Sequence, residues 1–242
     1  MRQFVGHFPA QMQSLPVDRR GFPVPWFVEW RDGEPLFPVM NVRHLGRAIK
    51  EGRCWCCGQK LWKNRAFVIG PMCCVNRLSA EPPNHVECAE FAALNCPFMA
   101  HPKVGRAPLQ GILAEAVKPA GLMIERNPGV ACVWITESHK VEWQDMPGGG
   151  RMPLFRMGPA KRFKFYARSR PAFRHEVDIA VATGLPALEQ AASGDDAYNG
   201  DDSASKQLKR QVAAFAAMLD EHDWPIAADV DLAALGFEEA RA

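Results

Sequence analysis

The chain has 242 residues, 48% hydrophobic and 23% charged, with a formal net charge of +2 at pH 7 and an isoelectric point near 8.1. That composition suits a globular core in one large or two small domains and lacks the strongly basic balance that by itself announces a nucleic-acid binder. No apolar run reaches the ~18 residues of a membrane span, and the first residues lack the basic start, apolar stretch and cleavage site of a secretory leader, so a reducing, cytoplasmic setting is expected.

Residues 1–22 read as an irregular arm. "VPWFVEWRDGEPLFPVM" (24–40) predicts two short strands around the turn "RDGEP". Asn41 is a good N-cap, Val42, Leu45 and Ile49 follow at helical spacing, and Gly52 ends that helix. "RAFVIG" (65–70) is a strand, and "PMCCVNR" (71–77) reads as its hairpin partner. After "EPPN", Asn84 can cap a helix over 85–95 that Pro97 ends. A further helix is expected over 107–121.

From 129 the segments "GVACVWIT", "KVEWQD" and "RFKFYAR" are β-like, with a "PGGG" loop at 147–150, and predict a small antiparallel sheet. Two helices are expected near 172–182 and 185–192, then an acidic linker over 193–204. The segment 205–222 carries Leu208, Val212, Phe215, Ala216 and Leu219 on one helical face, and a last short helix can follow. The expected organisation is the arm (1–22), a metal-binding module with its N-terminal hairpin and helix (23–106), a sheet with helices (107–192), the linker (193–204) and a C-terminal helical segment (205–242).

Seven of the chain's eight cysteines fall between 54 and 96. In a reducing compartment such a cluster reads as metal ligands rather than disulfides. Cys54-x2-Cys57-Gly58 has the form of a zinc knuckle, two thiolates on a tight turn that glycine permits. His85-x2-Cys88 puts a second pair on the first turn of a helix, side by side at i and i+3, where the positive helix end favours thiolate. Together they form a Cys3His set suited to one tetrahedral zinc ion, and four protein ligands leave no open position, so the ion is structural. Cys73 and Cys96 remain as replacements for a ligand, and Cys132 reads as core. Knuckle, hairpin and ligand-bearing helix resemble the treble-clef zinc finger over about 45 residues. The fold class is therefore α+β, a treble-clef-like module with a small antiparallel sheet and flanking helices.

The segment 151–175 is rich in Arg and Lys and has no acid. As a strand, "RFKFYA" places Arg162, Lys164 and Tyr166 on one face and Phe163, Phe165 and Ala167 on the other. With Arg168, the first face makes a basic strip able to meet phosphates and stack on a base; the plainer reading is a solvated strand face. The alternative to a binding protein is a metal-containing hydrolase or nuclease-like enzyme with a pocket beside the zinc module, using His44, His101 or His139.

The phrases "PVPWFVEW", "CWCCG", "AFVIGPMCCVNR", "EPPNHVECAEFAALNCPF" and "RSRPAFRHEVDIAVATGLPAL" resemble an uncharacterised family of bacterial and bacteriophage-encoded proteins, over residues 24–190. The resemblance implies an intracellular, phage-related protein whose motif positions are Cys54, Cys57, Cys73, His85, Cys88 and Cys96, with no activity attached. Nucleic acid or a host or phage protein is the expected partner.

Overall fold

The computed structural model describes residues 3–100, 128–146 and 149–226. The expected helices over 107–121 and beyond 226, and His101, lie outside the described residues. The first strand pair is a hairpin, β1 (Val28–Arg31) and β2 (Glu34–Met40), turning through Asp32 and Gly33 at positive φ. α1 (Val42–Glu51) follows as predicted: Asn41 Oδ1 accepts from His44 N–H at 2.9 Å, and Gly52 closes the helix in the left-handed region, where a side chain would be strained.

β3 (Arg65–Ile69) does not form a local hairpin. The segment expected to be its partner is helix α2 (Pro71–Asn76), with β4 (Leu78–Ser79) after it. Proline explains the correction: it has no N–H to donate to a ladder, but its fixed φ suits the first helical position it takes here. α3 (Val86–Asn95) and α4 (Pro97–Ala100) complete the first half.

The second half supplies β5 (Ala131–Thr136), β6 (His139–Asp145), β7 (Arg151–Met157), β8 (Arg162–Ala167), β9 (Arg170–Pro171), α5 (Arg174–Asn199) and α6 (Ser203–Asp220). The strands form two antiparallel sheets besides the first hairpin, ordered β3-β5-β8-β9 and β4-β7-β6. This mixture of helices with small antiparallel sheets is the expected α+β class.

β5 is the central strand and is buried at all six positions, because helices cover both faces. On one face Ala66, Ala131, Val133, Ile135 and Tyr166 meet Ala89 and Ala93 of α3, where alanines on both sides let the helix lie close. On the other, Phe67, Ile69, Cys132, Trp134 and Phe165 join one core with Cys74 and Val75 of α2, Val177 and Ala180 of α5, and Leu208, Phe215 and Leu219 of α6. Alternation along the strands thus sends successive side chains to two different cores.

The two helices expected over 172–192 are one, α5, which runs through Pro186 to Asn199. The acidic segment expected as a linker is its last turns and the turn into α6. The Asp196 carboxylate explains why: it accepts from Ala204 N–H at 2.8 Å and Ser205 N–H at 3.1 Å, satisfying the open amides of α6. On α6, Leu208, Phe215 and Leu219 are buried and Val212 packs on the core, whereas Ala216 faces solvent. Among the described residues no helix is long and apolar enough to cross a membrane.

Candidate metal centre

Cys54 to Gly58 make a tight turn in which Gly58 N–H donates to Cys54 O at 2.9 Å. Gly58 has φ +74, and a Cβ there would lie 2.6 Å from the Trp26 ring, so the turn needs glycine twice over. Asn84, expected as a helix cap, instead holds the knuckle: its Oδ1 accepts from Cys56 N–H at 2.9 Å. The N-cap position of α3 falls to His85. An antiparallel bridge between Ala66 and Asn84 sets the chain so that the first turn of α3 meets the knuckle.

The sulfurs of Cys54, Cys57 and Cys88 and a ring nitrogen of His85 all lie within 4.8 Å of one another, and all four residues are buried. His85 Nδ1 is 3.3 Å from Cys57 Sγ and 4.0 Å from Cys88 Sγ. Its Nε2 lies 2.9 Å from the Lys60 carbonyl, which can only accept, so Nε2 donates there and Nδ1 is the nitrogen that faces the sulfurs. Backbone N–H groups of Cys57 and His85 point at Cys54 Sγ from 3.5 and 3.4 Å. Trp62 packs against the His85 ring, centroids 4.6 Å apart.

The four side chains act strongly on one another. Burial opposes ionisation of Cys54, but donation from Cys57, Cys88 and His85 overrides it and holds this thiol well below its ordinary value. Burial likewise opposes charge on His85, yet the sulfurs of Cys54 and Cys57 push the imidazole up to about 10. Cys88 is driven far up by the sulfurs of Cys54 and Cys57, with burial adding to it. A divalent cation among these donors would favour thiolate sulfur and a neutral imidazole together. The four residues could hold a metal ion.

Cys56 packs beside these four without joining the group that could hold a metal, and the other cysteines are outside that group as well. Burial pushes the Cys73 thiol up to about 11 and raises Cys56 and Cys96 as well. Cys74 is raised by burial and by Cys132 beside it across the α2–β5 contact. Neither reserve candidate, Cys73 or Cys96, joins the four.

The arm is part of the site. Phe4 and Phe8 stack on each other and meet Phe91 of α3 edge-on at 5.2 Å, and Met12 is buried with Cys54, Cys57 and Cys88. Val5 and Asn95 exchange two bonds, N–H to Oδ1 and Nδ2 to O, each 2.9 Å. Two phenylalanines in an otherwise irregular segment were the available signal for this packing; a backbone carbonyl such as that of Lys60 leaves none.

The predicted basic strip is not a continuous face. α3 covers it: Tyr166 is 7% exposed, and Lys164 Nζ is bound to Glu90 Oε1 at 2.6 Å. Arg162 and Arg168 remain exposed. Of the histidines considered for catalysis, His44 donates to the Trp26 carbonyl at 2.6 Å and stacks on that ring, and His139 packs against Arg65, Phe67 and Phe155. Neither belongs to the cysteine cluster. No known protein family, curated protein or solved structure matches the chain.

Proposed function

We propose that Cys54, Cys57, His85 and Cys88 hold one zinc ion in a structural role, and that the protein works by binding nucleic acid rather than by chemistry at the metal. One observation carries the metal reading: four buried protein donors within 4.8 Å of one another, with the imidazole oriented by the Lys60 carbonyl so that Nδ1 faces the sulfurs. Sulfur-rich, four-ligand sets suit zinc, and four protein ligands complete its tetrahedron. The treble-clef likeness rests on the knuckle and the helix that follows it; the segments between them are β3, α2 and β4, not the expected hairpin. The nucleic-acid reading is supported by Arg162 and Arg168, exposed and without an ion pair among the described residues.

The test has two arms. Elemental analysis of protein purified without chelator is expected to find one equivalent of zinc; less than about half an equivalent counts against the centre. Titration with single- and double-stranded oligonucleotides at several salt concentrations is expected to show binding that weakens as salt rises. A protein that binds neither at low salt does not act on nucleic acid, and a protein partner becomes the better reading.

A further inference from the structure

Between α2, the start of β8 and α6 the surface opens into a cleft of about 760 Å³. Three arginines line it: Arg77 just after α2, Arg162 at the start of β8 and Arg210 on α6. All three are exposed, and none is ion-paired among the described residues. By contrast Arg156, Arg170 and Arg174 are each bound to a carboxylate. Two acids, Glu221 and Asp223, also line the cleft. Glu221 lies about three turns of α6 beyond Arg210, roughly 16 Å of helix rise, so these two charges stand at different ends. The His222 ring stacks on Phe163 at 4.8 Å and 26°, and both rings border the same space.

We propose that this cleft is a nucleotide-binding site, taking a phosphate on the arginines and a base beside the Phe163–His222 stack, and that a single strand of nucleic acid seats there. The chemistry of the walls selects this ligand. A simple anion would gain nothing from Glu221 and Asp223, and an acidic peptide would be repelled by them. A nucleotide offers phosphate oxygens to guanidinium, a π-face to the aromatic rings, and amino hydrogens of cytosine or adenine to a carboxylate. A duplex keeps its bases stacked inside, whereas a single strand can turn one into a concave site.

This inference rests on the nucleic-acid reading above, and the experiment separates the two. The zinc-loaded full chain is titrated with oligodeoxycytidylate, oligodeoxythymidylate, cytidine monophosphate and polyglutamate, alongside the double variant Arg77→Ala, Arg210→Ala. Those side chains are exposed, and thermal unfolding of the variant checks that its fold is kept. The double variant is expected to weaken oligonucleotide binding at least ~10-fold and to flatten the salt slope by about 1.4, two phosphate contacts on a single strand. His222→Ala is expected to weaken binding without changing that slope. Oligodeoxycytidylate is expected to bind more tightly than oligodeoxythymidylate, with the preference lost in Glu221→Gln, Asp223→Asn. Oligonucleotide binding unchanged in strength and slope in the arginine variant overturns the cleft and leaves the nucleic-acid reading standing. Cytidine monophosphate bound by the intact chain and lost in the variant, without oligonucleotide binding, does the reverse. Polyglutamate binding as tightly as either, or no binding at all, overturns the proposal.

Discussion

His85 gives its Nε2 proton to the Lys60 carbonyl at 2.9 Å, and that bond decides which nitrogen can meet a metal. Lys60 lies in the chain that leaves the knuckle, so the first ligand pair orients a ligand of the second. His85→Ala removes the donor and is expected to weaken zinc binding more than about 100-fold in chelator competition. His85→Cys restores a fourth donor and is expected to regain metal, while leaving the Lys60 carbonyl without its partner.

Cys57→Ser or Cys88→Ser is expected to lose the metal and open the module locally. Hydrogen exchange should speed up over 54–62 and 85–91, and in the arm that packs on Phe91, while β5 stays protected between its two helical layers. Chelation of the native chain should give the same pattern. Uniform loss of protection would show instead that the whole fold depends on the ion.

Gly58 and Gly200 both have left-handed φ, +74 and +73, but only Gly58 is crowded. Gly200→Ala is expected to cost about 1 kcal/mol, the backbone term alone. Gly58→Ala must also push a methyl into Trp26, and is expected to cost at least ~2 kcal/mol and to lower zinc content. Denaturant midpoints of the two variants check the difference.

Burial, with the Arg65 guanidinium beside it, pulls His139 from its ordinary 6.5 down to about 4. Arg65 donates to His139 Nδ1 at 3.1 Å, which requires the neutral ring. The unfolded chain therefore binds the extra proton first, and stability falls as pH drops from about 6.5 toward 4. Because the ring is half-buried and solvent screens it, the loss is expected to be on the order of 1–2 kcal/mol. His139→Gln should remove that slope, so the difference between native and variant urea midpoints at pH 7 and pH 5 isolates it from acid release of metal.

Arg170 and Glu176 form a two-pronged pair at 2.8 Å, with side chains 9% and 14% exposed, and Glu176 also accepts from Phe173 N–H at the start of α5. Burial opposes ionisation of Glu176, but Arg170 and the Phe173 amide hold it below its ordinary value. Glu176→Ala strands a buried guanidinium and is expected to cost about 3 kcal/mol, read from thermal or urea unfolding.

Much of the candidate site was legible because its signals are local. Two cysteines around a glycine turn, and a histidine and cysteine three apart on a helix start, owe their geometry to a few torsions each. The same holds for Asn41 and Gly52 at the ends of α1. Pro71 is an equally local signal: a residue without an N–H suits the helix start it takes in α2 and not the strand ladder expected there. Composition over 193–204 points to a linker, yet α5 runs on to Asn199 and Asp196 uses its charge to cap α6.

The sequence by itself determined the two candidate ligand pairs, the alternation of the strands and the apolar face of α6, since each depends on torsions and spacing within a few residues. Tertiary structure decided what those pieces meet. Lys164 and Tyr166 share a strand face in any reading, but whether that face is open depends on α3, and Glu90 reaches Lys164 across 74 residues of chain. The orientation of the His85 ring depends on a carbonyl 25 residues away that no side-chain pattern marks. Contacts between distant segments follow from how whole faces pack, and only the assembled layers fix that.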